Sequence, residues 1–202
     1  GLLRRGRSAM RELVFLLEEP SAKAMLESLL PRMLKEDTRF RCIPFEGKQD
    51  LEKQLTRRIR AYQNERARFI VLRDQDSHPD CTAVKQGLLD LCDKSGKFAR
   101  CLVRIACREL EAFYLADLQA VERALEIDGL TRHQNSRKFR SPDGLGSPSR
   151  ELKTLTRNRY EKVAGSRAIG KHLQLDNARS ASFRNLIAAI RRCEDELLRE
   201  AV

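Results

Sequence analysis

The sequence predicts an α/β fold, a mostly parallel sheet flanked by helices, with a basic loop-plus-helix elaboration at its C-terminal end. Three observations carry that expectation. Short apolar runs alternate with amphipathic stretches, acidic residues stand where three of those runs end, and positive charge gathers in the last third. Strands alternating with helices imply βαβ units, whose right-handed crossovers build a parallel sheet with helices on its faces.

The elements follow in order. Residues 12–18 hold Leu13-Val14-Phe15-Leu16-Leu17, a buried strand ending in Glu18 and Glu19. Pro20-Ser21 opens a helix with Met25, Leu26, Leu29, Leu30 and Met33 at helical spacing. Residues 40–45 alternate as a short strand, Gly47 breaks it, and Asp50 is placed to cap a helix carrying Leu51, Leu55, Ile59 and Tyr62. Phe69-Ile70-Val71-Leu72 is a further strand, ending at Asp74-Gln75-Asp76. A helix with Val84, Leu88, Leu91 and Cys92 closes near Gly96, residues 101–107 form the next strand, and residues 110–125 read as one helical stretch. Residues 129–148, rich in Arg, Ser, Gly and Pro, read as a long surface loop or flap. A last helix starts at Ser180 or Ser182, with Phe183, Leu186, Ile187 and Ile190 on one stripe. The chain thus divides into an upstream extension or cloning remnant (1–9), an α/β core (10–128) and a basic C-terminal part packed on the same domain (129–202).

Composition bounds the function. With 202 residues, 41% hydrophobic, the chain can bury a core. No window approaches the roughly eighteen uninterrupted apolar residues of a membrane span. The six cysteines form no CxxC pair and lie mostly in apolar runs, which points to reduced, buried thiols in a cytoplasmic protein rather than to zinc. Residues 131–192 hold 15 Lys/Arg against 4 Asp/Glu, a net +11 that equals the charge of the whole chain. Such a segment suits a polyanionic partner, DNA or RNA first, or is simply a solvated basic surface. The Walker loop, the GxGxxG fingerprint, HExxH and a serine elbow are all absent from the sequence.

The acidic residues carry the chemistry. Asp74 and Asp76, at i and i+2 on a strand end, can aim their oxygens into one pocket, and Mg²⁺ (or Mn²⁺) favours a few carboxylates plus water. Glu18 (or Glu19), from another strand end, completes the shell or acts as general base. Glu109 and Glu111 repeat the spacing and supply a second metal position, an arrangement suited to phosphodiester hydrolysis. The competing readings are a turn with helix capping for Asp74 and Asp76, and a solvated first-turn carboxylate for Glu111. Glu19 reads as a bystander.

The segments Leu16-Leu17-Glu18-Glu19-Pro20-Ser21 and Val71-Leu72-Arg73-Asp74-Gln75-Asp76 resemble the two signatures of Toprim, the topoisomerase-primase domain shared with overcoming-lysogenization-defect (OLD) nucleases. More closely, the chain resembles the DUF4276 family of bacterial proteins, through Pro44-Phe45-Glu46-Gly47-Lys48-Gln49-Asp50-Leu51, residues 104–113, Lys138-Phe139-Arg140-Ser141-Pro142-Asp143, Ala168-Ile169-Gly170-Lys171-His172 and residues 177–183. The resemblance implies a Toprim/Rossmann-like core that binds Mg²⁺ through Glu18, Asp74 and Asp76, with Glu109 and Glu111 assisting. Proteins of this kind are often associated with ATPases and with defence against mobile DNA, which implies an ATPase partner encoded nearby. Many Toprim domains have Gly where this chain has Glu19, a bulkier residue that alters the loop beside the metal site.

Basic residues complete the reading. Lys48, after Gly47, reaches a phosphate or is solvated. Arg167, Lys171, Arg179 and Arg184, with His172, surround the loop before the last helix and form the expected nucleic-acid surface, since guanidinium groups grip phosphate in a planar fork. His78 is a candidate proton shuttle, and Arg104 points to the carboxylates or to solvent. Phe139, Tyr160 and Phe183 stack on bases or belong to the core, Phe183 more to the core. The leading expectation is a metal-dependent nuclease. The alternatives are a non-catalytic module that binds nucleic acid or an ATPase partner, and a small-molecule phosphate enzyme.

Overall fold

The computed structural model describes residues 9–200. All but the last residue of the expected extension therefore lies outside the described residues. The chain forms β1 (Glu12–Leu17), α1 (Pro20–Leu29), β2 (Arg39–Pro44), α2 (Lys48–Ala61), β3 (Ala67–Asp74), α3 (Cys81–Lys94), β4 (Cys101–Ala106), α4 (Glu111–Leu115), α5 (Leu118–Leu125), α6 (Pro148–Leu155), α7 (Lys162–Gly170) and α8 (Ala181–Arg199). The four strands pair in parallel in the order β2-β1-β3-β4.

The order follows from alternating side chains on strands buried on both faces. Leu13, Phe15, Leu17, Ile70 and Leu72 pack into one core with α1, α4, α5, α7 and α8. Val14, Leu16, Phe69, Val71 and Val103 pack into a second with α2 and α3. Helix α1 takes the chain from β1 to one side and α2 and α3 carry it to the other, so the direction of winding reverses between β1 and β3. In open parallel sheets the crevice at the carboxyl ends of two such strands is where ligands bind.

The C-terminal part is a helical layer rather than a loop and one helix. Helix α7 lies along α1, where a Cβ on Gly170 would come within 2.6 Å of the Met25 carbonyl oxygen. Helix α8 runs antiparallel to the strands. At its start the Ser182 hydroxyl accepts the Cys107 N–H at 3.2 Å, and at its end Glu200 meets Arg68 and Arg100 at 2.9 and 2.6 Å. The expected flap, residues 129–148, is pinned down. Leu130, Gln134, Phe139 and Pro142 are buried, the Gln134 amide donates to the carbonyls of Leu115 and Phe139, and Asp143 accepts from the Ser180 hydroxyl and the Ser182 N–H. Its anchors are polar and scattered, so they left no periodic signal.

Smaller departures have local causes. Gly47, at φ 97°, caps α2, while Asp50 sits inside the first turn and accepts the Glu46 N–H at 2.9 Å. The stretch expected as one helix over 110–125 breaks at Asp117, whose carboxylate caps α5 through the Ala120 N–H and also takes the Gln174 N–H. Cys92, Cys101 and Cys193 are buried, whereas Cys42, Cys81 and Cys107 are half-buried. Among the described residues no helix is long and apolar enough to cross a membrane.

Candidate metal centre

The site is built at the carboxyl edge of the sheet by residues that leave it in different directions. As β1 ends, the Glu18 N–H still donates to the Leu72 carbonyl of β3 at 3.3 Å. The Glu18 side chain then returns to β3, where Oε2 accepts the Asp74 N–H at 2.9 Å. The Glu18 carbonyl takes the Gly47 N–H at 2.9 Å, which brings the start of α2 to the same edge. Beyond Asp74, Gln75 N–H donates to Ala106 and Asp76 N–H to Arg108, at 3.0 and 2.8 Å. The i, i+2 pair is therefore laced to the exits of both neighbouring strands. Asp76 takes a left-handed backbone, φ 54°, a conformation Asp adopts more readily than most residues.

Charge accumulates there. The dense surroundings of its carboxyl group push the Asp74 pKa well above the usual range, although the residue keeps some solvent contact; Glu18, Glu111, Glu19 and Asp76 add to the rise. Burial also raises Glu18, against the opposing hydrogen bond from Asp74, and Asp76 and Glu19 raise it further. Glu111 opens α4 fully buried, not solvated, and burial raises its pKa in turn. Its Oε1 accepts the Tyr160 hydroxyl at 3.1 Å, while its Oε2 is buried with no hydrogen-bond partner. Glu109 is partly spent on structure, accepting the Ser149 N–H at the start of α6 at 3.2 Å.

Two lysines face the carboxylates. Lys48 Nζ, exposed, lies 3.9 Å from Asp76 Oδ2. Lys162, from the first turn of α7, lies 3.6 Å from Glu19 Oε2. Burial works against its charge, yet Glu19, Glu111, Asp74 and Glu109 outweigh burial and raise its pKa. Lys162 was not singled out from the sequence, and Glu19, read there as a bystander, was not given a basic partner. Helix α7 gave no periodic signal, and nothing in the spacing ties residue 162 to residue 19.

Other candidates fall elsewhere. Tyr160, Phe139 and Phe183 are buried and do not offer rings to bases; Phe183 packs on Phe113 with centroids 5.2 Å apart. Arg104 turns to the carbonyls of Asn185 and Val103 rather than to carboxylates. His78 accepts the Asp80 N–H through Nδ1 at 3.1 Å in the turn that caps α3. Arg167, Lys171, His172, Arg179 and Arg184 are exposed, and Arg167 pairs with Glu27 at 3.2 Å.

A hard divalent cation fits the donor set in kind. The ligands on offer are carboxylate oxygens, one of them is a buried orphan, and the mutual repulsion of Glu18, Asp74 and Glu111 calls for a positive partner. Among the described residues, no three such side chains are arranged as a ready-made cage. Coordination therefore requires rotation of at least one carboxylate.

The family model for DUF4276, a domain of unknown function, matches residues 17–191. Among solved structures the chain is similar to the C-terminal region of the Burkholderia pseudomallei OLD protein. The TM-score is 0.51 and the sequence identity 17%, over 93% of this chain and 98% of that one. At that identity the likeness concerns the fold. No curated protein matches the sequence.

Proposed function

The chain belongs to the DUF4276 family, and we propose that it hydrolyses phosphodiester bonds in nucleic acid with a divalent metal ion, as a Toprim-like nuclease. The observation that carries this reading is the junction of Glu18 and Asp74 where the winding reverses, with buried Glu111 in their electrostatic field. The OLD-like fold supports it.

Glu18, Asp74, Asp76 and Glu111 would hold Mg²⁺ or Mn²⁺, with Glu109 at the margin. Bound there, the ion supplies charge neutralisation for the phosphate and a more acidic water. The protein's own groups do the rest. Glu18, tied to β3 through the Asp74 N–H, completes the shell or, where it stays off the ion, accepts a proton from attacking water. Lys48, exposed beside Asp76, meets a phosphate oxygen. Arg167, Lys171, Arg179 and Arg184 hold the backbone by charge without reading sequence. Defence against mobile DNA, with an ATPase encoded nearby, is the biological setting this reading suggests.

One observation favours a second reading. Lys162 already offsets part of the carboxylate charge and no ready cage exists, which suits a non-catalytic module that binds nucleic acid or an ATPase. Incubation with DNA and RNA plus Mg²⁺ or Mn²⁺ separates the two. Cleavage lost in Asp74→Ala supports the nuclease; salt-sensitive binding without cleavage, indifferent to metal and to Asp74→Ala, supports the module.

A further inference from the structure

Behind the carboxylates lies a buried polar chain. Glu111 Oε1 accepts only, so the Tyr160 phenol spends its one proton there, at 3.1 Å, and its oxygen is left to accept from the Ser166 hydroxyl at 3.3 Å. These two are the hydrogen bonds of the Tyr160 side chain, and the residue is 2% exposed. We infer that Tyr160 is a positioning residue that, through this Ser166–Tyr160–Glu111 chain, fixes the Glu111 carboxylate and leaves Oε2 as its free oxygen for a divalent cation. The inference rests on the metal-dependent reading above and names a residue that reading does not require.

The seat of the ring argues that it is held for this contact. A Cβ on Gly165 would stand 2.6 Å from Tyr160 Cδ2 and 2.9 Å from Cε2, so the ring lies against bare backbone of α7. Its other side meets Tyr114 edge-on, with centroids 6.0 Å apart. Its own N–H is anchored on Thr156 Oγ1 at 3.2 Å. Phenylalanine would fill the same seat, so packing does not call for the hydroxyl. The hydroxyl occupies one oxygen of Glu111, and no polar group among the described residues hydrogen-bonds the other. Buried polar atoms are satisfied with few exceptions; Glu111 Oε2 and the Tyr114 hydroxyl are two of them in this cluster, and a cation at Oε2 would complete the coordination of Glu111. Groups that orient a metal ligand in this way govern affinity without touching the metal.

The test uses the full chain with MnCl₂ as probe. Tyr160→Phe should weaken Mn²⁺ binding, read by calorimetry, by roughly 10–100-fold, and Gly165→Ala should do the same by displacing the ring. At saturating Mn²⁺, the KM for a DNA substrate should match wild type in Tyr160→Phe. Circular dichroism and metal-free melting of Tyr160→Phe report folding independently, so a Gly165→Ala variant that fails to fold leaves Tyr160→Phe to decide. Wild-type affinity in Tyr160→Phe, with affinity lost in Glu111→Gln, overturns the positioning role and leaves the nuclease reading standing. Wild-type affinity in Glu111→Gln also overturns it, since Glu111 is then no ligand. A wild-type protein that binds no Mn²⁺ overturns both.

Discussion

Glu18 Oε2 accepts the backbone N–H of Asp74 at 2.9 Å, so the acid that ends β1 is tied to the acid that ends β3. The contact does two things at once. It stitches the two central strands beyond their last ladder bond, and it brings a second carboxylate against Asp74. Two like charges held this way cost stability unless a proton or a cation intervenes.

The first prediction follows from that cost. A carboxyl whose folded pKa is raised adds stability that is present below its unfolded pKa and is lost as pH rises through the folded value. Asp74, Glu18 and Glu111 are all raised. Metal-free Asp74→Asn should therefore be more stable than wild type at neutral pH. The difference should shrink as pH falls through the raised folded pKa and be gone below about pH 4, where an unfolded-state Asp is protonated as well. Thermal melts of both proteins across pH check it, and a difference that stays constant with pH would count against the buried repulsion.

Lys162 sets the second prediction. It lies 3.6 Å from Glu19 Oε2 and its side chain is 45% exposed, so solvent screens much of its effect. Lys162→Met should destabilise metal-free protein by less than about 1 kcal/mol. The same change deepens the negative potential around Asp74 and should tighten Mn²⁺ binding, at most about fivefold. Calorimetric titration measures both signs, and weaker Mn²⁺ binding in the variant would show that the lysine helps the ion rather than competing with it.

How far the sequence reached can be judged at particular residues. The β-strands announced themselves because a strand buried on both faces is a continuous apolar run, and a parallel order follows from helices between runs. Glu18 and Asp74 were legible for the same reason, since strand ends are visible and strand ends converge. Glu111 was visible but its burial was not; a carboxylate at the start of a helix looks solvated until Tyr160, in the link between α6 and α7, covers it. Lys162 and Glu19 depend on α7 lying along α1, where Gly170 closes on the Met25 carbonyl, a close approach that a lone glycine does not announce. The segment 129–148 looked like a flap because Gln134 and Asp143 hold it by hydrogen bonds.

A third prediction tests that pinning. Asp143 accepts the Ser180 hydroxyl at 2.6 Å and the Ser182 N–H at 2.9 Å, while Ser180 caps α8 through the Phe183 N–H. Asp143→Ala removes both bonds and loosens the cap, at a cost of about 1–2 kcal/mol. It should also speed trypsin cleavage at exposed Arg137, Lys138 and Arg140. Global melting with mass spectrometry of early fragments reads both effects. Unchanged cleavage at these three residues would mean that Gln134 alone holds the segment.

The basic surface divides by distance from the carboxylate edge of the sheet, and that division is the fourth prediction. Because α8 starts at Cys107 and ends at Arg68 and Arg100, Arg184 and the neighbouring Arg179 stand near the carboxyl edge of the sheet. Arg184 also begins a groove of about 730 Å³ along α8, which Arg191, Arg192 and Arg199 continue toward the amino edge; only with Arg184 included do they outnumber its acids, Asp176, Asp195 and Glu196. If one strand of nucleic acid follows this groove into the site, every phosphate contact adds to affinity, but only the near ones orient the scissile bond. Gln at any one of these arginines should lower the slope of log K against log salt by about one, equally for all sequences. Only Arg179→Gln and Arg184→Gln should also lower kcat, because a misplaced phosphate wastes bound substrate. The paired measurement is a salt titration of binding and single-turnover cleavage. Equal loss of kcat at Arg199 would place the scissile phosphate elsewhere on the molecule.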